Sequence, residues 1–378
     1  MKNVAIIIES LNLGGAEKSL VTVLNYIDYS KYKVDLILFN TGGVFESFLP
    51  KEVAIIKKDY PRLNYLDRFV FKIKTLFNLK SLHSAQIFFE IIRPKLIKHP
   101  PVYDIAIAYN QGFSTYYTAL FISSKIKFTW LNTDYKSAGY KIGQDYFYYS
   151  HYNSVIAVSE FTKEVFIKEL ETNKLKLPIQ VIKDITDINV LESQSEKKLE
   201  VDFSKHSISI VTVGRLSKHK GLHLAVETCK KLVDKGYDVC WYVVGEGSER
   251  KNLVKLIKEY GLEDKFILLG MTNNPYPYIK NCTIYVQTSL FEGLGLSLIE
   301  AAYLKKPIVT TNFPTSYSIL QDGYTGLISK MNSESITEKI EIYLKDKDFM
   351  KLIVDNLSKK EHSDTLISIE KINLLLNM

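Results

Sequence analysis

Residues 282–302 read CTIYVQTSLFEGLGLSLIEAA, and their pattern indicates the class of fold to which the chain belongs. Its first part, Cys282 to Val286, is a short apolar run typical of a parallel strand buried on both faces. Its last part consists of good helix formers. A strand, a glycine-containing loop and a helix in this order place the loop at the carboxyl edge of a parallel sheet, where open α/β sheets bind their ligands.

The loop in the middle of this stretch is suited to an anion. Gly293 and Gly295 allow the backbone to approach a bound group closely, because glycine has no Cβ atom. The amides of Gly295, Leu296 and Ser297 would point outward from the first turn of the following helix, where amide groups bind anions. We therefore expect this loop to hold a negatively charged group.

Two carboxylates, Glu292 and Glu300, flank the same loop. Carboxylates do not bind phosphate, so we expect them to bind hydroxyl groups, and an anion beside hydroxyls describes a nucleotide sugar. Ser297 and Glu300 also have the spacing of a capping box, in which Glu300 would return to a backbone amide of its own helix. The spacing alone leaves both interpretations open.

The chain is long for one hydrophobic core. Its 378 residues predict two domains, and 46% hydrophobic with 24% charged residues is typical of a soluble globular protein. The formal net charge of +7 is too small to indicate nucleic-acid binding, although it is compatible with an anionic substrate or membrane surface. Residues 1–8 are too short for a signal peptide and no stretch is long enough to span a membrane, so we expect a cytoplasmic protein.

Three cysteines, Cys229, Cys240 and Cys282, are scattered without a C-x-x-C pair. This spacing predicts neither a disulfide framework nor a zinc site. We expect small core or helix-face residues in a reducing compartment.

The amino-terminal half begins with a strand, a glycine turn and a helix. Val4 to Ile8 is a continuous apolar strand, Gly14 and Gly15 follow it, and a helical pattern runs to about Tyr26. A phosphate could lie on the amino terminus of this helix. Neither a dinucleotide fingerprint nor a P-loop is present, however, so a tight turn without a ligand is the alternative.

Strands and helices alternate through both halves of the chain. In the first half, further strands are predicted at residues 34–39, 53–56, 104–108, 128–132 and 155–158. In the second half, strands are predicted at residues 208–213, 239–244, 266–269, 284–287, 308–310 and 324–328. Alternation of this kind gives right-handed crossovers and a parallel sheet. We therefore predict an α/β protein of two Rossmann-like domains facing across a cleft.

A polar segment, residues 193–206, has few periodic apolar residues and is typical of a domain boundary. It separates an N-terminal domain, residues 1–192, from a second Rossmann-like domain, residues 207–345. The remaining residues, 346–378, have a helical pattern and could pack back on the N-terminal domain.

A basic stretch, residues 62–98, combines cations with apolar side chains. On a helix, one face would carry the apolar residues Leu66, Phe69, Val70, Ile73, Leu76 and Phe77. The other face would carry Arg68, Lys72 and Lys74, while Phe71 interrupts the pattern. Such a helix could lie on an anionic membrane surface, but we favour a helix that packs on its own domain.

Polar side chains follow two other predicted strands. Asn132 and Asp134 come at the end of the strand 128–132, and they could bind a substrate hydroxyl or act only as turn residues. Arg215 and Lys220 lie between the strand 208–213 and the next helix. They are placed to bind a diphosphate, with solvated surface cations as the alternative.

With these residues assembled, the sequence resembles the retaining glycosyltransferases of family 4, which have the GT-B fold. The resemblance runs from about Val4 to Ile328, and its most specific part is the pair Glu292 and Glu300, separated by seven residues. Shorter matches occur in the expected order at residues 14–17 (GGAE), 158–160 (VSE), 214–216 (GRL), 245–247 (GEG) and 322–326 (DGYTG). The chain looks most like the members that build bacterial surface polysaccharides.

The resemblance implies a role for each candidate residue. The implied donor is a nucleotide-diphosphate sugar, with a UDP-linked sugar expected first. Its diphosphate would be bound by Arg215, Lys220, Gly14, Gly15, Gly295, Leu296 and Ser297. Glu300 would bind the ribose hydroxyls and Glu292 a hydroxyl of the donor sugar. Preorganised cations and amides would stabilise the charge on the departing nucleoside diphosphate, so no metal ion or separate cofactor is implied.

The sequence departs from the family pattern at one candidate position. Where related enzymes usually read Trp-Ile-His-x-Asp, residues 130–134 read Trp-Leu-Asn-Thr-Asp. Asn132 can donate a hydrogen bond to a sugar hydroxyl but cannot become a cation. Residues 183–187, KDITD, also differ from the usual Asn-x-x-Asp of the family.

The implied function is transfer of a hexose or N-acetylhexosamine, with retention, onto a lipid-linked saccharide or other glycan acceptor in surface polysaccharide synthesis. The inner face of the plasma membrane is the expected place of action. Two alternatives stay open. One is a nucleotide-sugar epimerase on the same fold, which would need no acceptor, and the other is a non-catalytic partner subunit that kept the fold.

Overall fold

The computed structural model describes residues 1–12, 14–77, 82–359 and 364–378. The chain divides into two compact units, the N-terminal unit (Met1–Ile185 with Asp364–Met378) and the C-terminal unit (Thr186–Ser363). Part of the predicted basic stretch, residues 78–81, lies outside the described residues, as does residue 13 in the first glycine turn.

Parallel strands form the sheet of the N-terminal unit. They are β1 (Lys2–Ser10), β2 (Tyr32–Asn40), β3 (Ala54–Lys57), β4 (Val102–Ala108), β5 (Ser123–Leu131), β6 (Ser154–Ala157) and β7 (Ile179–Val181). Their order across the sheet is β3-β2-β1-β4-β5-β6-β7, with parallel pairing throughout. The strand order reverses between β1 and β4, which places the loops after these two strands at a switch point.

Helices connect these strands. They are α1 (Gly15–Asn25), α2 (Tyr65–Leu76), α3 (Ser84–Ile92), α4 (Phe113–Phe121), α5 (Ile142–Tyr149) and α6 (Glu160–Thr172), with 3₁₀ turns at Val44–Phe48 and Arg93–Lys95. The start of α2 is fixed by a reciprocal cap, because the Asn64 side chain accepts from the Asp67 amide at 2.8 Å and the Asp67 side chain accepts from the Asn64 amide at 2.7 Å.

The C-terminal unit repeats the same plan with its own sheet. Its strands are β8 (Ile208–Val213), β9 (Val239–Val244), β10 (Phe266–Gly270), β11 (Ile284–Gln287), β12 (Ile308–Thr311) and β13 (Leu327–Ser329). Their order is β10-β9-β8-β11-β12-β13, again parallel. The prediction of an α/β protein with two Rossmann-like domains is therefore confirmed.

The helices of the C-terminal unit cover its sheet. They are α7 (Ile188–Ser195), α8 (Leu222–Asp234), α9 (Arg250–Glu259), α10 (Tyr276–Asn281), α11 (Leu296–Tyr303), α12 (Ser316–Ile319), α13 (Ser333–Lys345) and α14 (Lys347–Ser358), with 3₁₀ turns at Phe203–Lys205 and Lys218–Lys220. Within the segment 193–206, Leu199, Val201 and Phe203 pack against the core of this unit.

The last helix, α15 (Asp364–Asn377), groups with the N-terminal unit. The Lys2 ammonium donates to the main-chain oxygen of Asn377 at 2.7 Å, and the Tyr32 hydroxyl donates to the Asn377 side chain at 2.6 Å. Leu375 and Leu376 are buried. The end of this helix therefore contacts the first residues of β1 and β2.

The expectation that α2 packs on its own domain is confirmed by its contacts with α3, but the predicted apolar face is not the face that makes them. Leu66 is 72% exposed, Phe69 62% and Leu76 73%, so this face points to solvent. The residue that interrupts the pattern makes the inward contact instead, because the Phe71 ring meets the Phe88 ring of α3 edge-on at 6.3 Å. The sequence shows an amphipathic helix but not which side of it faces the protein.

The helices of the described segments are short. None of them has both the length and the apolar character needed to cross a bilayer.

Candidate active site

The strand order of the C-terminal unit reverses between the neighbouring strands β8 and β11. The loops after Val213 and after Gln287 therefore leave the same edge of the sheet side by side. These are the two loops that the sequence singled out, one for its cations and the other for its carboxylates.

Direct contacts hold the two loops together. The Leu290 amide donates to the His219 carbonyl at 2.7 Å, and the Thr288 hydroxyl donates to the Lys220 carbonyl at 2.9 Å. Gly221 makes this approach possible. Its φ is +58°, and a Cβ atom there would lie 2.2 Å from the Thr288 carbonyl oxygen.

The approach of the loops joins two predicted site residues in an ion pair. The Lys220 ammonium donates to Glu292 Oε1 at 2.6 Å, and the two side chains are 16% and 11% exposed. Burial alone would raise the pKa of Glu292, but the charge of Lys220 and the hydrogen bonds from Lys220 and Ser289 outweigh it and hold that pKa below its ordinary value. Glu292 is therefore an anion at neutral pH.

Two further side chains donate to the same carboxylate oxygen. The Ser289 hydroxyl lies 2.6 Å and the Gln287 amide nitrogen 2.9 Å from Glu292 Oε1. Both residues are buried, and Gln287 ends β11. Neither residue was predicted from the sequence to have a role in the site. A usable signal was present, because the apolar strand ends in the polar run Gln287-Thr288-Ser289 at the carboxyl edge of the sheet.

The start of α11 has the geometry expected of an anion-binding turn. Gly295 precedes the helix with φ +92°, a conformation that favours glycine. The first helical hydrogen bonds come from the Leu298 and Ile299 amides to the Gly295 carbonyl. The amides of Leu296 and Ser297 precede this first bond, as donors at a helix amino terminus do.

Ser297 and Glu300 do not form the capping box that was one interpretation of their spacing, because Gly295 is the N-cap of α11. Ser297 is the second residue of α11 rather than the residue before it, and its hydroxyl donates to Gln287 Oε1 at 3.2 Å. Glu300 is buried in the next turn. Burial, and further the charges of Glu300 and Glu292, raise the pKa of Tyr285.

The remaining cation, Arg215, is exposed at the end of β8. The turn that carries it packs against residues 245–247, because the Leu216 amide donates to the Glu246 carbonyl at 3.0 Å. A Cβ atom on Gly245 would lie 1.9 Å from the Gly214 carbonyl oxygen, and one on Gly247 would lie 2.3 Å from the Leu216 carbonyl oxygen. This close packing explains the Gly-x-Gly at residues 245–247.

In the N-terminal unit, the two candidate hydroxyl-binding residues make contacts within the protein. The Asn132 side-chain amide donates to the Tyr109 carbonyl at 2.6 Å, and the Asn132 main-chain amide donates to the Gln111 side chain at 2.9 Å. Asp134 is buried and accepts from the Ser137 amide and hydroxyl at 2.9 and 2.6 Å. These contacts give Asp134 the role of a turn residue.

The first glycine turn has the form of an ordinary helix start. Gly14 is extended at φ −173° and precedes α1, whose first residue is Gly15. Its carbonyl accepts from the Lys18 amide at 3.1 Å. The turn follows β1 and lies at the carboxyl edge of the sheet.

Asp184 is a carboxyl in this unit that the sequence noted only as a departure from the family pattern. It accepts from the Ser19 hydroxyl of α1 at 2.7 Å, and Ser19 also lies 3.0 Å from the Tyr109 hydroxyl. Burial raises the pKa of Asp184 to about 7, against the lowering effect of the Ser19 hydrogen bond. This side chain therefore titrates near neutral pH.

No group of three or more His, Cys, Asp or Glu side chains within the described ranges is arranged to hold a metal ion. Metal-independent chemistry stays a prediction.

The C-terminal unit matches a known family. Residues 193–360 match the family model described as glycosyl transferases group 1. This part of the chain is therefore similar to the group 1 glycosyl transferases. The resemblance that the sequence indicated is confirmed by this match, which covers the Lys220–Glu292 pair and α11.

Two named relatives are bacterial enzymes of glycan synthesis. One is N-acetylgalactosamine-N,N'-diacetylbacillosaminyl-diphospho-undecaprenol 4-alpha-N-acetylgalactosaminyltransferase of Campylobacter jejuni, 33% identical over 158 residues, 41% of this chain and 42% of that protein. The other is the capsular polysaccharide biosynthesis glycosyltransferase CapM of Staphylococcus aureus, 30% identical over 218 residues, 54% of this chain and 56% of that protein. The chain spans about half the length of these curated relatives.

Solved structures match along the whole chain. Anabaena HepE, determined in complex with UDP-glucose, is 19% identical, covers 100% of both chains and has a TM-score of 0.76. At this identity the match shows the fold alone, which is the GT-B fold.

Proposed function

We propose that the protein is a retaining glycosyltransferase that moves a hexose or N-acetylhexosamine from a UDP-linked donor to a lipid-linked saccharide or other glycan acceptor in bacterial surface polysaccharide synthesis. The observation that carries this proposal is the Lys220–Glu292 pair, 2.6 Å apart, at the switch point of a group 1 glycosyl transferase domain.

The chemistry of the site residues supports donor binding. Lys220 and Arg215 would bind the diphosphate as a point charge and a planar fork, together with the amides of Leu296 and Ser297. Charge builds on the phosphate oxygens as the glycosidic bond breaks, and fixed cations and amides stabilise that charge more in the transition state than before it. Glu292 would bind a sugar hydroxyl and Glu300 the ribose.

The relatives support the choice of donor and acceptor. HepE was solved with UDP-glucose, the name of the Campylobacter enzyme describes a saccharide on diphospho-undecaprenol, and CapM is named for capsule synthesis. A UDP-sugar donor and a lipid-linked or capsular acceptor are the choices consistent with all three.

Transfer can be tested with the full chain, bacterial membranes and a panel of labelled UDP-sugars. We expect label from one donor to enter the lipid fraction. Lys220→Met should abolish the transfer, while Lys218→Met, an exposed lysine of the same turn, should keep it. If neither the wild type nor Lys218→Met transfers label from any of the donors, the proposal is contradicted. Conversion of a donor without membranes would instead indicate an epimerase.

We further propose that α2 lies on an anionic membrane surface while the acceptor is glycosylated. Its exposed apolar residues are Tyr65, Leu66, Phe69, Val70, Ile73 and Leu76, with Phe77 directly after the helix. At 3.6 residues per turn they span an arc of about 140°. Exposed Arg68, Lys72 and Lys74 flank this arc on both sides, which is the arrangement of a helix held in a lipid headgroup region.

Vesicle co-sedimentation tests this contact. We expect the chain to bind vesicles of phosphatidylglycerol and phosphatidylcholine, and to bind less in high salt and to phosphatidylcholine alone. Leu66→Asp should weaken binding. Leu352→Asp, on an exposed leucine of α14 in the other unit, is the matched control. Equal binding by the two variants would refute a role for α2.

A further inference from the structure

The side-chain amide of Gln287 forms two hydrogen bonds at its nitrogen and two at its oxygen. These bonds connect the loop that carries Glu292 with the first turn of α11. Its amide nitrogen donates to Glu292 Oε1 at 2.9 Å and to the Ser289 hydroxyl at 3.3 Å. Its amide oxygen accepts from the Ser297 hydroxyl at 3.2 Å and from the Tyr285 hydroxyl at 3.3 Å. A carboxylate can only accept, so this amide must present its NH₂ group to Glu292 and its oxygen to the hydroxyls.

The donors to Glu292 all meet on one of its two oxygens. Lys220, Gln287 and Ser289 each donate to Oε1, at 2.6, 2.9 and 2.6 Å. Among the described residues none forms a hydrogen bond to Oε2. One oxygen therefore anchors the side chain to the protein, and the other is left for a ligand.

We propose that Gln287 is a positioning residue that fixes Glu292 so that Oε2 reads a hydroxyl of the donor sugar, and that couples this carboxylate to the first turn of α11 through Ser297. This inference rests on the proposed function. A glutamate side chain has three rotatable bonds, so an anchor on Oε1 limits the positions that Oε2 can take. Gln287 itself touches no reacting atom in this assignment.

The test is Gln287→Met, which keeps the length of the side chain and removes its hydrogen bonds. We expect kcat/KM for transfer from the active UDP-sugar to fall about tenfold to a hundredfold, as for a misplaced binding group. The Kd for UDP, which lacks the sugar, should change by no more than about threefold. Thr212→Val is the matched control, because it removes two other buried hydrogen bonds of the same sheet, to Val286 and Trp241. It should keep kcat/KM.

A double-mutant cycle separates positioning from general damage to the fold. In the Glu292→Gln background, Gln287→Met should lower kcat/KM by no more than about twofold further, since its effect acts through Glu292. Additive losses would overturn the proposal, and so would an equal fall in UDP affinity and in kcat/KM.

A crystal structure of Gln287→Met without ligand gives an answer that does not depend on turnover. We expect Glu292 to adopt a second rotamer or to lose its single ordered position. A Glu292 carboxylate unmoved from its wild-type place would overturn this inference alone. Failure of the wild-type chain to bind UDP would count against the proposed function instead.

Discussion

At the scale of single residues, one carboxyl in each unit shows a shifted pKa, and the two shifts have opposite directions. Glu292 is largely buried and accepts hydrogen bonds from the cation Lys220 and from two neutral side chains, Gln287 and Ser289, and its pKa lies below the ordinary value in spite of burial. Asp184 is partly buried with the Ser19 hydroxyl as its donor, and desolvation raises its pKa to about 7. The first is kept as an anion for binding, whereas the second costs stability whenever it is ionised.

The stability of the N-terminal unit should depend on the charge of Asp184. Its folded pKa is raised, so the folded unit holds this proton more tightly than the unfolded chain, and stability falls as pH rises from about 4 toward 7. We expect Asp184→Asn to raise the Tm by a few degrees at pH 8 and by less at pH 5. Thermal unfolding followed by circular dichroism measures both values.

Asp104 supplies a control of opposite sign. The Lys125 hydrogen bond lowers the pKa of this partly exposed carboxyl, so Asp104→Asn should lose stability at pH 8 and little near pH 3. A gain from Asp184→Asn that is the same at pH 5 and pH 8 would show that its charge has no part in stability.

At the scale of elements, the site depends on how closely two loops approach. The turn at Lys218–Lys220 meets the loop after β11 through the Leu290 amide and the Thr288 hydroxyl, and Gly221 leaves room for this contact because it has no Cβ atom. The position of Lys220 beside Glu292 is therefore a property of the two loops together, not of either motif.

Replacement of Gly221 should separate the two loops. Gly221→Ala places a Cβ atom 2.2 Å from the Thr288 carbonyl oxygen, so we expect a large fall in Tm of the C-terminal unit and loss of UDP binding. Gly236→Ala is the matched control, since Gly236 also has a positive φ, +84°, but open space around it. It should cost only the strain of the left-handed backbone, about 1–2 kcal/mol. Equal stability of the two variants would show that the contact is unimportant.

The strands and the edges of the sheets could be predicted from the sequence, because apolar runs between helical patterns determine them. The strands Ile208–Val213, Val239–Val244 and Ile284–Gln287 were predicted to the residue. β7 was missed, because a three-residue edge strand has too few apolar positions to show a pattern. The outward face of α2 was missed because amphipathicity does not tell which side meets the protein.

The candidate site could be predicted in part, because its loops follow apolar strands. Lys220 and Glu292 were both singled out, but their pairing was not, since 72 residues separate them in sequence. Gln287 was passed over as the last residue of a strand. Its role arises from four neighbours, of which Tyr285, Ser289 and Glu292 are local and Ser297 lies in the next helix.

At the scale of the whole molecule, the chain consists of two units with separate sheets, and the last helix returns to the first unit. The family match at residues 193–360 falls on the C-terminal unit alone, which has its own hydrophobic core. The proposed donor site therefore lies in one unit, while the exposed face of α2 belongs to the other.

Removal of residues 360–378 should distinguish the two units. Without α15, the partners of Lys2 and Tyr32 at Asn377 are lost and the apolar surface under Leu375 and Leu376 is uncovered. We expect a lower Tm for the N-terminal unit and an unchanged Kd for UDP, measured by differential scanning calorimetry and titration. Loss of UDP binding in the truncated chain would contradict the assignment of the donor site to the C-terminal unit.

Isothermal titration of UDP into the full chain and into Lys220→Met, with Lys218→Met as the control, tests the proposed diphosphate site. We expect one UDP per chain for wild type and Lys218→Met, and affinity weaker by about tenfold or more for Lys220→Met, because a charge-assisted contact to the diphosphate is lost. Binding of UDP with equal affinity by all three proteins, or by none of them, would contradict a diphosphate site at Lys220 and Glu292.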